Sequence, residues 1–323
     1  MPTPTKQTKR KFGLLDFVRI ILVLVILCAL GVIAYRLWDY KIGTDRYNQL
    51  QQQAVQPVEP VQEEAPEEGF VPLDIDFDTL REEGPDIIGW IDFDSVEISY
   101  PIVYSGDNSY YLRRLWDGSY NQAGTLFLEG NNQSLDDLHA IVYGHNMRNG
   151  TMFAPLKEYL DPEFFAENGG WFTLYTPEGA WRYQLFSIHE AEPDDPLYTV
   201  GFVVGDEYTE FLKTLREARL YDTGVTVYSD DHVLTLSTCT DDGNDRIVAH
   251  ARRAEAVELP GGEENKGNTA QFTTNGSDGV SRQNFLCYFP KMLANPPRIG
   301  CAFWFISQKN SGALHHLDLC GIA

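Results

Sequence analysis

The sequence predicts a mainly β domain, a barrel or a sandwich, carried behind one membrane-spanning helix. Three observations predict it. An uncharged apolar run fills residues 20–35 and follows a basic cluster. Between about residues 70 and 257, eight short apolar runs are broken by turn residues. Only two helical stretches interrupt them, and no internal repeat is present.

Residues 1–13 hold Lys6, Lys9, Arg10 and Lys11 and read as a cytoplasmic basic N-terminus. Residues 14–38 read as a transmembrane signal anchor, because a bilayer core takes about 20 apolar residues as helix. Arg19 and Arg36 can snorkel from its ends. A cleaved signal peptide is the rival reading, but no small-x-small pattern follows the apolar run cleanly. Cys28 would suggest a lipoprotein site, yet bulky Leu27 precedes it, so it reads as membrane-buried filler. The expected topology is single-pass in the cell membrane, with the bulk of the chain outside.

The whole chain carries 25 Lys+Arg against 47 Asp+Glu, a net −22. Six basic residues and one acid precede Asp39, so the external part is more acidic still. Such a surface repels phosphate backbones, and nucleic acid is excluded as a partner. Five cysteines are too few for a disulfide scaffold. None forms a CxxC pair and no His/Cys cluster has zinc-ligand spacing, so no metal site is expected.

Residues 39–69 are rich in Gln, Glu and Pro and read as an extracellular stalk, with helix near residues 45–53. Residues 70–258 read as the main folded domain, with strands at 87–91, 98–103, 125–128, 139–143, 171–175, 182–189, 233–238 and 246–251. The helical stretches are 151–160, ending before Pro162, and 206–218, where Tyr208, Phe211, Leu212 and Leu215 recur at helical spacing. Residues 259–323 are linker-like and then hold Cys287, Cys301 and Cys320 beside an isolated run, CAFWFI; this reads as an atypical tail of doubtful origin.

Two stretches carry the chemistry, IVYGHNMRNGTMF (141–153) and LTLSTCTDDGNDRIVAHAR (234–252). In the second, an alternating strand ends at Cys239, six loop residues follow, and a strand begins at Arg246. Read as a hairpin, Cys239 pairs with Arg246, Leu236 with Ala249, Leu234 with Ala251, Ser237 with Val248 and Thr235 with His250. Cross-strand partners bring Cβ atoms to roughly 5 Å, so the thiol and the guanidinium would emerge side by side. That guanidinium can stabilise a thiolate, hold a carbonyl or bind an oxyanion.

A cysteine with an ordinary pKa is only about 3 % thiolate at pH 7, so a nucleophilic one benefits from a neighbouring base or cation. His145, in a Gly-His-Asn turn after a strand, is the best base. His139 and His250 lie inside strands, His189 and His232 border turns, and His315 and His316 sit in the tail. Each residue alone has a bland reading: a buried Cys, a surface His, and an Arg paired with Asp241, Asp242 or Asp245. TDDGND lacks the alternating ligands and distal Glu of a calcium loop. The combination is what points to nucleophilic catalysis.

TLSTC followed by an Arg at the start of the next strand resembles the sortase signature. YGHNM with NGTMF after it resembles the class B branch. The resemblance spans about residues 70–256 and includes the helix before the Cys strand. It implies a closed β-barrel of about eight strands with a few helices. It implies a membrane-anchored cysteine transpeptidase without a cofactor. Cys239 would attack the carbonyl of Thr in a C-terminal sorting signal similar to Asn-Pro-x-Thr, forming a thioacyl enzyme. An amine of a peptidoglycan precursor would resolve it. His145 would protonate the leaving amine and deprotonate the incoming one, and Arg246 would hold substrate backbone and oxyanion. The Thr240 N–H would be an oxyanion donor, and Ser237 would line the pocket. Asn146 and Met147 match the motif without a derivable role. Two readings compete: a pilin-polymerising sortase using a protein Lys, and an inactive anchored surface module. The intact Cys239, His145 and Arg246 set argues against the second.

Overall fold

The computed structural model describes residues 13–58, 70–257 and 259. In chain order these form α1 (Leu14–Ala54), β1 (Val55–Pro57), β2 (Leu73–Ile75), α2 (Phe77–Glu83), β3 (Ile87–Phe93), β4 (Ser99–Val103), β5 (Leu126–Leu128), β6 (His139–Tyr143), α3 (Pro162–Asn168), β7 (Trp171–Thr176), β8 (Gly179–Ala191), α4 (Asp206–Glu217), β9 (Val233–Cys239) and β10 (Arg246–Val257). The expected basic N-terminus up to residue 12, the stalk over 59–69 and the tail beyond residue 259 lie outside the described residues.

The eight expected strands are the eight strands of one closed barrel, in the order β10-β8-β7-β3-β4-β5-β6-β9. Closure leaves no unpaired sheet edge. The neighbours β4/β5 and β6/β9 run parallel; all others are antiparallel. The main core cluster includes Trp90, Ile91, Leu126, Ile141, Phe172, Leu174, Leu234, Leu236, Ala249 and Ala251, all buried.

Strand β9 alternates apolar and small polar residues, which by itself predicts one wet face. All seven of its residues are nevertheless buried. The second face is covered from outside: Tyr208, Leu212 and Leu215 of α4 pack on Phe186, Val233 and Val248. Two histidines buried beneath α4 are linked through Thr235. His139 Nδ1 lies 2.7 Å from the Thr199 carbonyl, which can only accept, so Nδ1 carries the hydrogen. In the neutral ring Nε2 then accepts from the Thr235 hydroxyl at 2.7 Å, and Thr235 Oγ1 in turn accepts from His250 Nδ1 at 2.8 Å.

Two elements differ from expectation. The stretch 151–160 is a 3₁₀ turn over Ala154–Leu160, not an α-helix. Ala154, Leu156 and Tyr159 are buried at spacings of two and three, which suits three residues per turn. The segment read as stalk has its expected helix near residues 45–53, but as part of a longer one that packs on the barrel. Helix α1 runs unbroken from Leu14 to Ala54, and Asp39, Gly43, Tyr47, Leu50 and Ala54 form a buried stripe at helical spacing. Its first part keeps the apolar side chains of the anchor exposed, while its last four turns lie against the barrel. Strand β1 then pairs with β2.

Candidate active site

The barrel topology alone brings the expected residues together. Strands β6 and β9 are parallel neighbours, so their C-terminal ends lie side by side. Cys239 closes β9, and His145 stands two residues beyond the end of β6. Strand β10 returns antiparallel, with Arg246 opposite Cys239, and the whole pairing from Cys239 to Leu234 has the expected register. Gly144 makes the turn into His145 possible. Its N–H donates to the Ser237 carbonyl at 3.1 Å, and a Cβ there would meet Leu126 Cδ2 at 2.4 Å.

All three side chains are shielded: Cys239 is 3 % exposed, His145 8 % and Arg246 4 %. His145 Nε2 donates to the Leu112 carbonyl at 2.6 Å. A carbonyl can only accept, so this bond fixes a hydrogen on Nε2.

Asn146, which the sequence left without a role, ties the two motifs together. Its amide donates to the Cys239 carbonyl at 2.9 Å and to Asp241 Oδ1 at 3.0 Å. Met147 and Met152 are buried beneath the same loop, and Met152 adopts a left-handed backbone at φ 60°.

Ser237 is fully buried and shares a 2.9 Å hydrogen bond with the Tyr198 hydroxyl. The rings of Tyr198 and Tyr143 stack at 6.1 Å. The Tyr143 hydroxyl donates to Glu129 Oε2 at 2.9 Å, and the Asn108 amide donates to the same oxygen at 2.7 Å. Burial pushes both phenols up, Tyr198 to about 12, while the Arg246 charge draws both down. The guanidinium is thus within electrostatic range of both hydroxyls. Tyr143, Tyr198, Glu129, Asn108 and Leu112 were not singled out from sequence. Tyr143 had a signal, its place in YGHNM; the others are polar or apolar loop and strand-end residues without one.

Thr240 clasps the hairpin. Its N–H donates to the Asp245 carbonyl at 3.0 Å, and its hydroxyl donates to Asp242 Oδ1 at 2.7 Å. The N–H expected to receive an oxyanion is therefore committed within the loop in this structure. Gly243 turns the loop at φ 77°. Hydrogen bonds from Thr240 and Asn244 hold the Asp242 carboxyl below the usual carboxylate range. The buried histidines away from this centre are neutral. Burial takes His139 down to about 4 and holds His250 well below its ordinary value.

Known proteins share this fold. A protein-family model described as a sortase domain matches residues 91–254. Sortase B of Listeria monocytogenes is 32 % identical over 163 residues, which are 50 % of this chain and 65 % of that protein, just under two thirds of its length. The crystal structure of Clostridium perfringens sortase B is 32 % identical with a TM-score of 0.53, over 56 % of this chain and 100 % of that one. Bacillus anthracis sortase B, solved in complex with AAEK1, is 30 % identical with a TM-score of 0.57, over 68 % of this chain and 99 % of that one. With the family match covering half of its length and its eight-stranded barrel shared with solved sortase B structures, this chain belongs to the sortase family.

Proposed function

We propose that this chain is a membrane-anchored cysteine transpeptidase. The observation that carries the reading is the register of Cys239 against Arg246, with His145 brought to the same barrel end by the parallel pairing of β6 and β9. The reduced Cys239 sulfur attacks the carbonyl carbon of Thr in a C-terminal sorting signal of the Asn-Pro-x-Thr kind. A C–S bond forms and the Thr C–N bond breaks. His145 takes up the thiol proton on Nδ1 and delivers it to the departing amine. Arg246 holds substrate backbone and the developing oxyanion through fixed donors in a shielded site. An amine of a peptidoglycan precursor then gives its proton to His145, attacks the thioester carbonyl and releases the thiol. Ser237, with Tyr198, lines the acyl pocket.

The membrane span, with the N-terminus inside and the barrel outside, belongs to the same proposal. It is supported by the exposed apolar first part of α1, which is long enough to cross a bilayer. The test is intact mass of the full chain in detergent with reductant, mixed with Thr-containing sorting peptides. A hydroxylamine-labile adduct ending at Thr, present on the native chain and absent from Cys239→Ala, is expected. A folded, reduced protein that acylates with no peptide overturns the reading.

A further inference from the structure

We propose that the barrel-docked half of α1 is a positioning element for the His145 ring, acting through one loop between β4 and β5. The proposal rests on the transpeptidase reading for its kinetic test and on hydrogen bonds for its argument.

The contacts form a short continuous path. On the helix side, Asp39 accepts twice: its backbone carbonyl from the Asn121 amide at 3.0 Å and its carboxylate from the Gln122 N–H at 3.1 Å. Arg36 donates to the Gln122 side chain. Gly43 lies so close that a Cβ there would meet Asn121 Oδ1 at 2.8 Å. One turn on, Arg46 pairs with Asp117 at 2.5 Å, and the Tyr47 ring packs 4.8 Å from that of Trp116. The Tyr47 hydroxyl, buried, donates to the Gly124 carbonyl at 2.5 Å.

Gly124 is the pivot. Its backbone is left-handed at φ 60°, and a Cβ on it would meet the Leu112 carbonyl oxygen at 2.6 Å. The neighbouring Thr125 N–H donates to the Tyr111 carbonyl at 3.1 Å, fixing the two segments of the loop against each other. That Leu112 oxygen is the acceptor for His145 Nε2 at 2.6 Å. From Tyr47 to the imidazole the path therefore runs through one hydrogen bond, one backbone packing contact and a second hydrogen bond. Each link uses backbone or a buried group, so a shift of the helix displaces the carbonyl that sets the ring's orientation and tautomer.

A catalytic base displaced by a fraction of an ångström loses rate, not substrate affinity. A weaker Nε2–H···O=C bond also disfavours imidazolium, which moves the rate limb set by His145 to lower pH. The experiment uses the full chain in detergent with reductant. It compares thioacyl formation by the native protein, Tyr47→Phe, Gly43→Leu and Arg253→Gln. Tyr47→Phe removes one hydroxyl at constant shape. Arg253→Gln breaks the pair with Asp136 at the start of β9's side of the barrel, away from Cys239, and serves as a stability control.

The expected result is that Tyr47→Phe lowers kcat about fivefold at nearly constant KM and moves the His145 limb to lower pH. Gly43→Leu does the same more strongly. Arg253→Gln keeps the native limb. Nitrogen NMR of the His145 ring reports the same change without turnover. Native kcat and an unmoved limb in Tyr47→Phe overturn the proposal. So does a rate loss that Arg253→Gln reproduces at equal melting temperature. Absence of thioacyl product from the native chain overturns the transpeptidase reading instead, and the ring spectra then decide the positioning claim alone.

Discussion

Asn146 reaches from the histidine turn to the backbone of the cysteine: its amide donates to the Cys239 carbonyl at 2.9 Å. The residue beside the proposed base thereby fixes the backbone of the proposed nucleophile, and the two motifs become one unit. The second amide hydrogen, on Asp241 at 3.0 Å, extends the same hold to the start of the hairpin loop.

Replacing Asn146 with Ala should therefore cost rate more than stability. The lost hydrogen bonds are worth about 0.5–1.5 kcal/mol each in net stability, while loosened geometry should lower thioacyl formation about tenfold. Stopped-time mass spectrometry of the adduct checks this. A native rate in Asn146→Ala would remove Asn146 from the positioning account.

Arg246→Ala should lower kcat/KM well over tenfold, as loss of an oxyanion donor does. Arg246→Lys should restore little, because a point charge does not reproduce a planar donor fork. Circular dichroism should show both variants folded, since the β9/β10 ladder is backbone-bonded through this register. Full activity in either variant would exclude the role.

The histidines under α4 predict acid lability. Burial takes His139 to about 4, below its ordinary 6.5. A base with a lowered folded pKa stabilises the fold above its unfolded value, and that stability is lost as pH falls. The melting temperature should thus decline between about pH 6.5 and pH 4, with His250 adding to the effect through its own burial. A flat profile across that window, with α4 in place, contradicts the neutral pairing through Thr235.

Asp92 predicts the opposite slope. Burial raises its carboxyl from 3.8 to about 6 against the hydrogen bond from Ser99. An acid raised on folding costs stability once deprotonated, so the penalty grows from about pH 4 to pH 6 and is full above that. Asp92→Asn should stabilise the chain by about 1–3 kcal/mol at pH 7.5 and by nothing measurable at pH 3.5. An equal effect at both values would assign the gain to packing instead of charge.

Much of the site was legible because its signals are local. Six loop residues between Cys239 and Arg246 fix the hairpin register, and alternation along LTLSTC fixes which residues share a face. The docked part of α1 was hidden for a physical reason. Its stripe is made of Asp39, Gly43, Tyr47, Leu50 and Ala54, and two of those five are not apolar, so hydropathy reads the segment as a solvated stalk. Gly43 serves there by lacking a side chain, and Asp39 by its acceptors; neither adds to an apolar periodicity. Tyr198 was hidden differently: it enters the site from a 3₁₀ turn, Pro196–Tyr198, in a polar connection whose path the sequence does not specify. Thr240 shows the converse. Its position after the nucleophile suggests an oxyanion donor, but loop closure claims the same N–H.

The unbroken helix also sets a height. On the proposed topology Trp38 marks the outer bilayer face, and at about 1.5 Å per residue Tyr47 stands only about 14 Å further along the axis. On that topology the unbroken helix would make tilt of the span tilt of the barrel. Such a strut would confine the proposed reaction to a thin layer parallel to the membrane. Substrates and acceptors would be met while still lipid-tethered, and reach, not affinity alone, would decide which of them are used.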